Sequence, residues 1–194
     1  MRVLVLFAHP VETSFQAALH SATVAALAKA GHEVDDCDLY AEGFNPVLSR
    51  EERINYHDAA VCRKPVERYV DRVLAAEGLV LNFPVWNFGY PAILKGFFDR
   101  VFLPGVSFEL TKDGGVAPKL KNIRKVAAVA TYGGTRLRAM LAGDPPRKTV
   151  TRVLRAQVGF TTPVTYLAYY DMNRATEATC EKFLDRVSQT MSRF

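Results

Sequence analysis

Residues 2–19 read RVLVLFAHPVETSFQAAL. Arg2–Phe7 is a short unbroken apolar run, the pattern of a strand buried on both faces of a parallel sheet. Ala8–Thr13 interrupts it with a histidine and a proline. From Ser14 to Ala30, Phe15, Leu19, Ala22 and Ala26 then recur on one helical stripe, and Gly31 ends it. A buried strand that passes through one loop into an amphipathic helix is the first half of a βαβ unit.

The rest of the chain repeats the unit. Strands are expected at Glu33–Leu39, Gly78–Phe83, Val126–Thr131 and Val164–Tyr170. Helices are expected at Val66–Glu77, Pro91–Phe102, Thr149–Val158 and Thr176–Arg193, with a short one from Arg50 to Ala60 in the irregular stretch Tyr40–Pro65. The three aspartates in Glu33–Leu39 suit an edge strand, and Asp113-Gly114-Gly115 suits the turn of a small hairpin. Alternation of this kind gives a single α/β domain over residues 1–194. Its doubly wound parallel sheet has five strands in the flavodoxin-like order 2-1-3-4-5, with helices on both faces. Ligands of such sheets bind at the carboxyl ends of the strands, beside the switch between strands 1 and 3.

Composition narrows the function classes. The 194 residues are 49% hydrophobic and 23% charged, a globular balance. No apolar run approaches the roughly 20 residues of a membrane span, and Met1-Arg2 leads into a strand-like run without the marks of a signal peptide. Cys37, Cys62 and Cys180 form no CxxC pair, which fits a reduced cytoplasm. The net charge of +5 is concentrated between Thr111 and Arg155, where eleven Lys/Arg face two acids. That segment suits either a solvated basic face or phosphorylated cofactors, and nucleic acid is not the expected partner. No HExxH, GxSxG, GxGxxG or P-loop motif occurs, and no metal site is expected.

Three loops remain at the strand ends. The first, Ala8–Phe15, offers free N–H groups and the hydroxyls of Thr13 and Ser14, which suit a phosphate or plain helix capping. The second, Phe83–Pro91, holds Pro84, Val85, Trp86, Asn87 and Phe88. Its rings suit the wall of a flat heterocycle or a plug in the core. The third, Thr131-Tyr132-Gly133-Gly134, allows close backbone approach, with positive φ expected at Gly134.

With those loops in view, the chain resembles the NAD(P)H:quinone reductases of the flavodoxin-like fold, the DT-diaphorase type. The resemblance runs through His9 with Thr13-Ser14-Phe15, Asp38-Leu39-Tyr40, Phe44-Asn45-Pro46, Phe83-Pro84, the stretch from Pro91 to Phe102, and Gly133-Gly134. It implies a bound flavin, NADH or NADPH as electron donor, a quinone-like acceptor and a homodimer. By position, His9, Ser14, Phe15 and Gln16 would meet the flavin phosphate and ribityl chain. Val85, Trp86, Asn87 and Phe88 would line the ring, Thr131, Tyr132, Gly133 and Gly134 its pyrimidine side, and Phe108 would be the aromatic contributed at the dimer interface. Some relatives of the family instead serve as regulatory subunits of membrane transporters.

The chain departs from the diaphorase pattern in two places that touch the site. Trp86-Asn87-Phe88 looks like the flavin loop of FMN-dependent azoreductases, which favours FMN over FAD. The diaphorase Tyr/His pair after the double glycine is missing, with Ala139 and Ala142 nearest its positions, the latter before a retained Gly143-Asp144. Tyr132 is therefore the candidate proton donor and Arg136 its charge partner, a packing role for the Tyr132 ring being the alternative.

Overall fold

The computed structural model describes residues 1–194, apart from the side chain of Ala59. Its first half runs β1 (Arg2–Phe7), α1 (Phe15–Lys29), β2 (Glu33–Asp38), α2 (Arg50–Ile54), α3 (Ala59–Arg63), α4 (Glu67–Ala75), β3 (Gly78–Val85) and α5 (Ala92–Val101). The second half runs β4 (Phe108–Leu110), β5 (Val116–Pro118), β6 (Lys125–Tyr132), α6 (Arg136–Leu141), α7 (Pro145–Lys148), α8 (Arg155–Val158), β7 (Val164–Tyr169) and α9 (Glu177–Met191). β2, β1, β3, β6 and β7 lie side by side in that order, all parallel. This is the expected 2-1-3-4-5 arrangement. β4 and β5 form the expected antiparallel hairpin outside it.

The period of two along each strand divides the core between the sheet faces. Leu4 and Leu6 join Val70, Val73, Leu94 and Phe97 on the face covered by α4 and α5. Val3 and Val5 join Leu19, Leu27, Phe183 and Val187 on the face covered by α1 and α9. All eight residues of β3 are buried, as a central strand requires.

Two expectations are corrected in detail. Residues 50–60 do not form one helix: α2 ends at Ile54, and α3 starts after Asp58 caps it. The capping box of Ser49 and Glu52 also turns the Glu52 carboxylate inward, where it meets Arg100 of α5 at 2.6 Å with both side chains buried. The helix expected over Thr149–Val158 is instead α7, a wide π-type turn over Thr149–Leu154, and α8. The wide turn coincides with four β-branched residues, Thr149, Val150, Thr151 and Val153, which crowd a tight helical backbone. β2 is the edge strand expected, yet its Asp35 is not merely solvated: it receives Arg72 of α4 at 2.7 Å and Arg2 at 3.2 Å. Among the described residues, no helix is long and apolar enough to cross a membrane.

Candidate active site

β1, β3 and β6 end on the same side of the sheet, Phe7 beside Asn82 and Val85 beside Tyr132. The three loops picked out in the sequence therefore leave from neighbouring strands. In the first, Ser14 caps α1, its Oγ accepting the Ala17 N–H at 3.1 Å. The N–H groups of Phe15 and Gln16 find no acceptor among the described residues. They stand at the positive end of a 15-residue helix, which favours an anion. His9 Nδ1 accepts the Val11 N–H at 3.1 Å, so the neutral ring carries its proton on Nε2 and offers it outward. The same ring lies edge-on to Trp86, with centroids 5.7 Å apart, joining the first loop to the second.

The second loop is a tight reversal. Trp86 N–H donates to Gly89 O at 3.2 Å and Gly89 N–H to Trp86 O at 2.8 Å. Asn87 and Phe88 between them both have positive φ, 48° and 58°, the pattern of a type I′ turn. Asparagine tolerates this conformation; phenylalanine is strained in it by about 1 kcal/mol. Trp86 and Phe88 are 42% and 44% exposed, so the loop does not plug the core. Pro84 and Val85, expected at the ring, are buried in β3 beneath the turn.

The third loop departs from its expected conformation. Neither Gly133 nor Gly134 has positive φ. What their lack of a side chain provides is open space: an added Cβ would meet nothing nearer than 3.9 Å at Gly133 and 3.8 Å at Gly134. Their N–H groups find no acceptor among the described residues, while Gly134 O accepts the Asp171 N–H at 2.9 Å. A cradle that any Cβ would narrow, lined by two free donors, lies across from a helix terminus with two more. That set fits a flat ligand with an anionic tail, and a flavin mononucleotide is such a ligand.

Three expected site side chains, Gln16, Thr131 and Tyr132, turn away from this cradle. Gln16 is 2% exposed, and its amide is spent inside the protein. Its Nε2 donates to Asn82 Oδ1 and to Val129 O (3.1 Å), and its Oε1 accepts the Thr131 hydroxyl at 2.7 Å. Only its backbone N–H faces a ligand, and Thr131 likewise is turned inward. Tyr132 is 3% exposed and donates its hydroxyl to Asp144 Oδ1 at 2.7 Å, with Tyr166 Oη at 2.7 Å on the other side. Burial, together with Tyr166 and Asp144, pushes this phenol far above the ordinary tyrosine range. A hydroxyl so held does not reach a ligand. Its charge partner is not Arg136, which is exposed at the start of α6, but Arg147, which meets Asp144 Oδ2 at 3.1 Å.

Asp144, Arg147, Tyr166 and Asn82 are the residues the sequence reading missed. The retained Gly143-Asp144 was the available signal: both have positive φ, 85° and 45°, which aims the Asp144 carboxylate inward instead of capping α7. Directly after Asp144, Pro145 and Pro146 border a cavity of about 770 Å³ shared with Tyr90, Phe98, Phe102 and Phe108. The cavity meets the second loop at Gly89 and Tyr90.

The fold described by the strand order is also found by comparison with known proteins. A family model described as the flavodoxin-like fold matches residues 1–191. The chain belongs to the flavodoxin-like fold family. NAD(P)H dehydrogenase [quinone] 1 of Rattus norvegicus is 37% identical over 148 residues, covering 68% of this chain and 54% of that protein. An FMN-dependent NADH:quinone oxidoreductase of Coprothermobacter proteolyticus is 36% identical over 104 residues, covering 52% and 51%. This chain thus spans about half the length of these curated relatives. The solved structure of an NAD(P)H:quinone oxidoreductase from Methanothermobacter marburgensis superposes with a TM-score of 0.84 at 26% identity, over 99% of this chain and 98% of that one.

Proposed function

We propose that this chain is an NAD(P)H:quinone oxidoreductase that carries FMN where the three loops meet. The observation that carries the reading is the pair of unsatisfied donor sets, at Phe15–Gln16 and at Gly133–Gly134, with the Trp86–Phe88 turn between them. When bound, the flavin supplies two-electron hydride chemistry between a nicotinamide donor and a quinone-like acceptor. The Phe15 and Gln16 N–H groups, with Thr13, Ser14 and the His9 Nε2–H, hold its phosphate end. Trp86, Asn87 and Phe88 wall the ring. The Gly133 and Gly134 N–H groups stabilise negative charge that reaches the ring's pyrimidine side. Arg136, exposed beside them, suits the phosphates of the nicotinamide donor. With Tyr132 committed to Asp144, solvent supplies the proton that the acceptor takes up.

The acceptor site in this reading is the apolar cavity, closed by a second copy of the chain. Two rings of its aromatic lining, Phe98 and Phe108, are only half-buried in one protomer. Free cysteines at 37, 62 and 180 suit work in the cytoplasm. The test is the visible spectrum of the protein loaded with FMN or FAD, before and after NADH or NADPH, followed by quinone turnover and sedimentation. Bleaching by either nicotinamide, recovery on adding quinone, and a dimer are expected. No flavin retention would overturn the reading. The Trp86-Asn87-Phe88 tip favours one second reading, an azoreductase, which faster turnover of azo dyes than of quinones would support.

A further inference from the structure

Thr131 and Tyr132 are the last two residues before the double glycine. Being consecutive on β6, they point to opposite sheet faces. Thr131 reaches towards α1 and gives its hydroxyl to Gln16, whose amide is tied in turn to Asn82 and Val129. Tyr132 reaches to the other face and gives its hydroxyl to Asp144, which also holds Arg147. Arg147 continues to Tyr170 Oη at 3.0 Å, and the Tyr132 and Tyr170 rings pack with centroids 4.5 Å apart. Each hydroxyl therefore ends on a buried acceptor that its own network orients.

We propose that Gln16 and Asp144 are positioning residues, which clamp the double-glycine turn from opposite faces of the sheet and hold its N–H groups in register with a bound flavin. The proposal rests on the functional reading above and adds to it two buried side chains, those of Gln16 and Asp144, that touch neither cofactor nor acceptor. Its physical basis is that the Gly133–Gly134 turn has no side chains of its own to anchor it. The accuracy of its two donors must come from the residues before it, and a misplaced donor loses most of its hydrogen bond. On the α1 side the same network starts one residue past the free Phe15 N–H, so Gln16 also relates the phosphate end of the site to the ring end.

The test uses the full chain reconstituted with FMN. Dissociation constants are read from flavin fluorescence and ring environment from visible circular dichroism, for the wild type, Thr131→Val, Tyr132→Phe and their double variant. Each single substitution is expected to weaken FMN binding about tenfold, and the double about a hundredfold, with an altered visible dichroism band. Asn122→Ala is the control for general destabilisation. Asn122 binds the carbonyls of Val73, Leu74 and Ala76 at the far end of the sheet, and its loss should leave the FMN constant unchanged. Folded clamp variants that bind FMN like the wild type would overturn the proposal, as would an equal loss in Asn122→Ala. A wild type that binds no FMN would instead overturn the functional reading itself. Should Tyr132→Phe fail to fold, Asp144→Ala carries the same prediction, since it removes the acceptor that the Tyr132 hydroxyl is clamped to.

Discussion

The two turns that border the site are held in opposite ways. The Gly133–Gly134 turn has relaxed dihedrals and is fixed from behind, by buried hydrogen bonds on both faces of β6. The Trp86–Gly89 turn is fixed by its own two backbone bonds, keeps its rings in solvent, and has two successive non-glycine residues at positive φ. One turn is a bare backbone that borrows rigidity from the core. The other presents bulky side chains and stores strain to do so. A ligand between them meets precise donors on one side and broad apolar surface on the other.

The largest effect should come from cutting the charged half of the clamp. Asp144→Ala leaves the Tyr132 hydroxyl with Tyr166 alone and Arg147 without its carboxylate. The expected loss is about 3 kcal/mol, a fall in Tm on the order of 10 °C. Thermal or urea unfolding would measure it, and a loss within error would mean that Tyr166 and water suffice. Thr131→Val cuts the neutral half and should cost less, about 1–2 kcal/mol, because one buried acceptor on Gln16 is stranded while shape is kept. If the two costs came out in the reverse order, the asymmetry drawn here between the faces would be wrong.

That asymmetry shows what the sequence could and could not disclose. Periodicity placed the sheet strands, because burial on both faces leaves apolar runs such as Val3–Phe7 and Leu79–Phe83 no other place, and their order follows from the flavodoxin-like arrangement that five strands alternating with helices favour. It placed the loops for the same reason. It did not show that Gln16 and Tyr132 look inward, since a polar side chain at a strand or helix end reads alike whether it meets a ligand or a buried partner. The partner of Tyr132 lies 12 residues on, aimed by left-handed backbone at Gly143 and Asp144, and no spacing rule reports such a contact. The π-type turn over Thr149–Leu154 was hidden likewise, because its residues keep an ordinary helical pattern.

A pH series separates the two faces of the clamp. Burial and their neighbours raise the phenols of Tyr132 and Tyr166 above their unfolded value of about 10. A group whose folded pKa is raised gives its full stability below the unfolded value and loses it as pH climbs past that point. Wild-type stability should thus decline above roughly pH 10, other buried tyrosines adding to the slope. Tyr132→Phe removes one titrating group and should flatten the decline by about 1 kcal/mol between roughly pH 9 and 11. Thr131→Val, on the neutral face, should run parallel to the wild type. A Tyr132→Phe curve also parallel to the wild type would show that its hydroxyl ionises as readily folded as unfolded.

The smallest effect, and the one of opposite sign, belongs to the strained turn. Phe88→Gly relieves a left-handed phenylalanine, which is worth about 1 kcal/mol, and glycine's extra freedom in the unfolded chain returns part of that. A net gain of about 0.5 kcal/mol is expected, with the backbone bonds between Trp86 and Gly89 retained. The same change strips an exposed ring from the wall of the site, so FMN affinity should fall while stability rises. Such a split is what a turn strained for the sake of its side chain must give. Asn87→Gly sharpens the point. Asparagine already tolerates positive φ, so this variant should leave stability nearly unchanged and lose only what the amide contributes to the ligand. Calorimetry and flavin titration on the two variants would settle it: if Phe88→Gly lost stability, the side chain would be holding the turn, and the contrast with the clamped double glycine would fail.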